Sequence, residues 1–199
     1  TLDVSDNEDL LELRLTSHPS LSSLLLGSGL ENLELSQTAL TVLDLDGVWQ
    51  IKSAAVYDNA NLTSIELSAV ENPLLEVIDF KNNDLQSLNL RDLTEIKNID
   101  VSGNPGLAIL DITAAESIET LKTFDSGVLE IDLSTNNGSL LSVEAANGSL
   151  TSLNLDNNNL VYTSFDLFTD NNPALSCIEV NSITDAEEAV NQGFWSIPS

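Results

Sequence analysis

A chain of 199 residues that is 42% hydrophobic but only 5% aromatic holds enough apolar material for one sizeable core, and that core must be aliphatic. Thirty-two Asp and Glu against six Lys and Arg give a formal charge of -26, which repels polyanions and argues against nucleic acid and anionic membrane surfaces as partners. No apolar run is long enough to span a bilayer, and a single cysteine, Cys177, can make neither an internal disulfide nor, without a Cys or His cluster, a zinc site. The excess of acids reads first as a solubility and salt-tolerance device, and second as a surface that selects a cation or a basic ligand.

Self-comparison finds an aliphatic-x-aliphatic triplet from the first residues onward. It recurs as Leu2-Asp3-Val4, Leu24-Leu25-Leu26, Leu43-Asp44-Leu45, Ile65-Glu66-Leu67, Leu88-Asn89-Leu90, Leu110-Asp111-Ile112, Ile131-Asp132-Leu133 and Leu153-Asn154-Leu155, with starts 22, 19, 22, 23, 22, 21 and 22 residues apart. A second series lies half a period away: Leu13-Arg14-Leu15, Leu33-Glu34-Leu35, Ala54-Ala55-Val56, Ile78-Asp79-Phe80, Ile99-Asp100-Val101 and Val143-Glu144-Ala145. Each rung therefore has two sides with apolar residues pointing inward, and clusters such as Lys81-Asn82-Asn83-Asp84 and Ser134-Thr135-Asn136-Asn137-Gly138 supply the corners. Small repeated layers of this kind bury surface without a single globular centre.

One side of each rung is expected to carry a continuous parallel sheet. The first series is assigned to it because all eight triplets are unbroken, whereas the second loses its spacing at Leu121-Lys122-Thr123-Phe124 and passes into an aromatic segment at Thr163-Ser164-Phe165. The motif L-x-L-x-x-N-x-L leaves the choice open, because Ile78 to Leu85 and Leu153 to Leu160 both fit it and fall in opposite series.

Leu40 to Leu45, Leu62 to Leu67 and Ile99 to Leu107 resemble the short-period leucine-rich repeats of secreted and surface proteins of Bacteroidetes, especially marine flavobacteria. The resemblance implies a right-handed solenoid of the α/β type, mostly strand and loop with little helix, over residues 1–180 at about 21–22 residues per rung, with a C-terminal cap over 181–199. It covers roughly residues 1–180 and speaks for fold far more than for function. Asn172 to Val180 followed by Trp195 resembles the family's terminal rung and cap, where members often carry a further Cys beyond the Trp. None follows here, so Cys177 reads as a buried free thiol behaving as a small hydrophobe, with a disulfide as the family alternative.

The cap can also be read physically. Thr184-Asp185-Ala186-Glu187 has the spacing of a capping box, Ala186, Ala189 and Val190 give an apolar face, and Gly193 can end the helix. Phe194 and Trp195 are then expected to cover the last rung. No comparable cap precedes Thr1, which points to preceding sequence or to self-association through that end.

In the assigned register the outward residues Asp44, Glu66, Asn89, Asp111, Asp132 and Asn154 form a column of acids and amides flanked by serines, and this face is the expected recognition surface. Trp49 and Tyr57 lie beside turns, outside the aliphatic pattern, where an aromatic ring can stack on a sugar or anchor a protein or, equally, fold over the solenoid edge. Tyr162, Phe165 and Phe168 are expected to pack. The Asp and Asn corners offer oxygen ligands for a structural calcium, but no EF-hand loop or calcium-binding nonapeptide repeat is present, and no cofactor is expected. The sequons at Asn61, Asn137 and Asn147 matter only in a eukaryotic secretory pathway.

A lone histidine, His18, with no nucleophile motif to serve, argues against a catalytic triad, and a smooth solenoid side lacks the enclosed pocket that raises a carboxyl pKa. These features, with the resemblance, lead to the expectation of a non-enzymatic extracellular or cell-surface recognition or adhesion domain that binds a protein through its sheet face. The alternative is a carbohydrate-recognition module associated with polysaccharide use.

Overall fold

The computed structural model describes residues 1–157 and 159–197. It is a parallel β-solenoid of about eight turns with a single α-helix near the C-terminus among the described residues. Strands alternate between the two sides of successive rungs. On one side lie β1 (Leu2–Asp3), β3 (Leu24–Leu25), β5 (Val42–Asp44), β7 (Ser64–Glu66), β9 (Ser87–Asn89), β11 (Ile109–Asp111), β13 (Glu130–Asp132), β15 (Ser152–Leu155) and β17 (Cys177–Val180). On the other lie β2 (Glu12–Thr16), β4 (Asn32–Ser36), β6 (Ser53–Tyr57), β8 (Val77–Asp79), β10 (Asn98–Asp100), β12 (Thr120–Lys122), β14 (Ser142–Glu144), β16 (Asp166–Phe168) and β18 (Trp195–Ser196).

The even-numbered strands form one nine-stranded parallel sheet, while the odd-numbered strands break into ladders of two, two, two and three strands. This reverses the expected assignment: the continuous sheet belongs to the second series. The Leu121 segment stays in register, with Leu121 opposite Ile99 and Val143. The aromatic segment makes a 3-10 turn at Tyr162–Ser164, and the rung's strand follows it at Asp166–Phe168.

The corner after each long-sheet strand explains the reversal. In eight successive rungs the residue at this corner has a left-handed backbone: Ser17, Gln37, Asp58, Asn82, Gly103, Asp125, Asn147 and Asn171. Such a conformation costs roughly 1–2 kcal/mol for an ordinary residue and less for Gly, Asn and Asp, which hold six of the eight positions. At Gly103 a Cβ would also stand 2.2 Å from Asn82 Oδ1.

The next residue turns inward, and in four rungs it is a buried asparagine: Asn59, Asn83, Asn104 and Asn172. Asn104 Nδ2 donates to Val101 O in its own rung and Phe80 O in the previous one, both at 2.9 Å, and its Oδ1 accepts from Leu85 N at 3.2 Å. Asn83 and Asn172 repeat the paired donation to Val56 and Phe80 and to Ala145 and Thr169. Backbone groups that the tight corner strands away from water are thereby satisfied, and adjacent rungs are pinned at one point.

The odd side lacks a uniform clamp. Among the described residues buried asparagines recur there only at Asn72, Asn136 and Asn157, so differences in rung length accumulate on that side. Pairing holds where successive triplets are 22 residues apart, at Leu2 with Leu24, Leu43 with Ile65, Leu88 with Leu110 and Ile131 with Leu153. It fails at the spacings of 19, 23 and 21. The pairing of Leu153 with Ile178 survives a spacing of 25 in the rung that contains the 3-10 turn. The second fit to the asparagine motif, Leu153 to Leu160, puts its asparagine at residue 158, outside the described residues.

Inward residues of both sides meet in one aliphatic core, from Leu24 through Leu33, Leu35, Ile78, Ile99 and Val143 to Leu167. Each fully buried aliphatic chain contributes roughly 1.5–3 kcal/mol. In the first rung Leu13 and Leu15 are half-buried, whereas the equivalent Leu33 and Leu35 are buried.

At the other end, α1 (Ile183–Gln192) and Trp195 close the core. The helix starts two residues before the expected capping box: Ser182 is its N-cap, accepting from Asp185 N, and Gly193 ends it in the left-handed region as expected. The Trp195 ring packs edge-on against Tyr162 at 5.2 Å and tilted against Phe165 at 5.5 Å. Pro198 and Ser199, the end of the expected cap, lie outside the described residues.

Candidate functional site: the two faces of the solenoid

The expected acid and amide column does exist on the odd side, but most of its members hold a turn. Asp44, Asn89, Asp111, Asp132 and Asn154 each accept, through Oδ1, the backbone N–H two residues on, at 2.9–3.0 Å. Asp3 does the same with Ser5. A short acceptor at this position stops the strand and starts the corner, which is why Asp and Asn alternate there. Glu66 is one methylene too long for this bond, and in its rung Asn72 Oδ1 takes the Ser68 amide at 3.0 Å.

The column is also interrupted as a surface, because it runs across the ladder breaks. Arg91 bonds Asp111 Oδ2 through two nitrogens, at 3.0 and 3.2 Å. The Thr113 side chain foremost holds the Asp111 carboxyl below its ordinary range, against the opposing effect of burial and with help from the Thr113 amide and Arg91.

Trp49 and Tyr57 do not form one site. Trp49 lies four residues before β6 and Tyr57 is the last residue of that strand. Trp49 is 50% exposed beside Gly47, whose φ is +81°. Tyr57 is half-buried; its hydroxyl donates to Glu34 Oε1 at 2.8 Å, and Lys81 Nζ lies 5.1 Å from the ring centre. The bond to Glu34 pushes the phenol above its ordinary value. Of the three aromatic residues expected to pack, Tyr162 and Phe165 are buried, but Phe168 is 40% exposed on the outer face of β16. Cys177 is exposed on β17, which overturns the expectation of a buried thiol: it falls at the outward position of the strand, with Ile178 turned in.

The face that sequence reasoning passed over is the long sheet. Five of the six cationic side chains serve it. Arg14 pairs with Glu34 across β2 and β4 at 2.8 Å, Lys122 with Glu144 across β12 and β14 at 3.1 Å, and Lys81 with Asp79. Just before the strands, Glu31, Lys52, Glu76, Lys97 and Glu119 alternate in sign down the rungs, with Lys52 on Glu31 at 2.9 Å and Lys97 on Glu76 at 2.8 Å. That last bond holds Glu76 below and Lys97 above their ordinary values.

Each exposed pair adds little stability, but together they cancel charge that would otherwise stack at strand spacing. Phe168 stands in register with Glu144 and Lys122, and Phe124, also 40% exposed, lies two residues beyond Lys122 on the same face. The signal available in the sequence was the clustering of the rare Lys and Arg residues in or beside the second series.

Among the described residues no group of three or more His, Cys, Asp or Glu is placed to hold a metal ion, and no helix is long and apolar enough to cross a membrane. His18 and the sequon asparagines Asn61, Asn137 and Asn147 are exposed. Neither a protein-family model nor a curated protein matches the chain.

Proposed function

We propose that this chain is a leucine-rich repeat domain that acts as a non-enzymatic extracellular recognition or adhesion module and meets a protein partner across its nine-stranded sheet. The repeat type is supported by the corner chemistry: Ile78 to Leu85 places L-x-L-x-x-N-x-L in one long-sheet strand and its corner, with the asparagine of that motif buried as Asn83. Localisation rests on the resemblance described above.

The observation that carries the choice of face is the coincidence of continuity, partly cancelled charge and exposed rings on the long sheet. An interface is favoured by a broad surface with aromatic anchors and little uncompensated charge. The odd side offers short ladders and a column of carboxylates occupied in turns.

A photo-crosslinking residue placed at Phe124, and separately at Glu66 on the opposite side, tests the reading on material from the organism's own surface. A discrete adduct is expected from position 124. Binding of the protein so identified should fall on combining Phe124→Ser with Phe168→Ser and hold on combining Asp44→Asn with Asp132→Asn. Adducts from position 66 instead, or weakening by the Asp-to-Asn pair, would refute the face; adducts from neither position would refute a protein partner.

A further inference from the structure

The odd side has a different feature, at the break between β11 and β13. A single long bond, Leu129 N to Ala108 O at 3.4 Å, leads into the break, beyond which the two strands share no ladder. A groove of about 400 Å³ opens there, within the size range of small-ligand sites. Ile109 and Leu129 form its apolar banks and are 64% and 42% exposed.

The column of Ile109 holds Ser64, Ser87 and Ser152 beside Val42, Glu130 and Cys177, and that of Leu129 holds Thr41, Thr63 and Thr151 beside Gln86 and Ala108. Large exposed aliphatic chains cost solubility and add nothing to the core, and these two line one groove where the sheet has parted.

The rim adds charge of one sign. Asp111, Glu130 and Asp132 line the groove together with Arg91. The guanidinium is spent on Asp111, which leaves Glu130 and Asp132 uncompensated by any cation of the groove. Asp132 gives one oxygen to Ser134 N and keeps the other available.

We infer that this groove is a binding site for a small aliphatic amine: the ammonium group lies against Glu130 and Asp132, and the hydrocarbon arm lies between Ile109 and Leu129. The site is on the opposite side of the rungs from the proposed protein interface and does not depend on it.

Three probes with the same arm and different charge test this: isopentylamine, isopentanol and isovalerate, titrated against methyl-labelled protein by NMR. The amine should shift the Ile109 and Leu129 methyls saturably and bind about tenfold more tightly than the alcohol, and isovalerate should shift neither. Combining Glu130→Gln with Asp132→Asn should abolish the preference for the amine, and Leu129→Thr should weaken all binding. The fold is retained in each replacement: Glu130 is exposed and Gln has its shape, Asn89 and Asn154 make the same turn bond as Asp132, and Thr63 and Thr151 occupy the column of Leu129. Equal affinity for amine and alcohol, amine shifts spread over the acidic surface, a preference that survives the double replacement, or no saturable shift would each overturn the inference.

Discussion

Asn104→Ala isolates the contribution of the corner clamp. The side chain is fully buried, and its loss strands Val101 O and the Leu85 amide, which it bonds at 2.9 and 3.2 Å, while Phe80 O loses one of its two donors and keeps Asn83 Nδ2. A buried backbone group left without a partner costs about 1–3 kcal/mol, and small relaxations return part of that, so about 3 kcal/mol is expected for the two. Asn104→Ser should cost about half as much, because Ser126 fills the next corner with one donation to Thr123 O at 2.6 Å and one weaker acceptance from Val128 N at 3.4 Å.

Asn104→Asp should be worse than alanine despite its matching shape, since a carboxylate would face two carbonyl oxygens it cannot bond. Urea unfolding gives the ranking, and hydrogen exchange at the Leu85 amide localises the effect, which matters because a solenoid can open from one rung without unfolding throughout. A cost below about 1 kcal/mol for alanine, or aspartate tolerated as well as serine, would refute the view that side-chain bonds set the register of the long sheet.

Two further outcomes follow from the backbone and the charges. Ala114 is held at φ +59°, so Ala114→Gly should stabilise the chain by about 0.5–1 kcal/mol, the relief of strain exceeding the added freedom of the unfolded chain; an unchanged or lowered urea midpoint would contradict this. For the Glu76 and Lys97 pair, the folded glutamate value is lowered and the folded lysine value raised, chiefly by their mutual hydrogen bond. The stability difference between the parent chain and Lys97→Met should therefore be present at neutral pH. It should vanish on acidification through the folded Glu76 value, which lies below 4.5, and on raising the pH through the folded Lys97 value, which lies above 10.5. A difference that did not change with pH would mean that Lys97 acts through packing of its stem.

The repeat, the two-sided rung and the closing helix with Trp195 are legible in the sequence because each rests on a local rule: period-two alternation, turn residues at fixed offsets, a cap and a stop. The choice of sheet was not legible from alternation, since Leu110-Asp111-Ile112 and Ile99-Asp100-Val101 read alike. What separates them is the residue five places after the first aliphatic, which is Asn104 in the second case and Ala115 in the first. Only the bonds made by Asn104 show why that position outweighs the triplets. The helix start was ambiguous for a similar reason, because Ser182 with Asp185 and Thr184 with Glu187 both have capping spacing.

The candidate face was misread because an outward Asp looks available on paper while its oxygen is already bonded to the amide two residues on. Asp44 and Asp132 show this in strands of different rungs. The groove at Ile109 and Leu129 needed three dimensions, since nothing in the sequence marks where two strands part.

The placement of the six cations gives the molecule an electrical polarity across its width. With five on or beside the long sheet and one on the odd side, the field outside the two faces differs even though both carry excess acid. At physiological ionic strength that difference extends about 8 Å into solution. Another acidic molecule drifting past is turned away more strongly from the odd side, so encounters are sorted by orientation before any side chain touches.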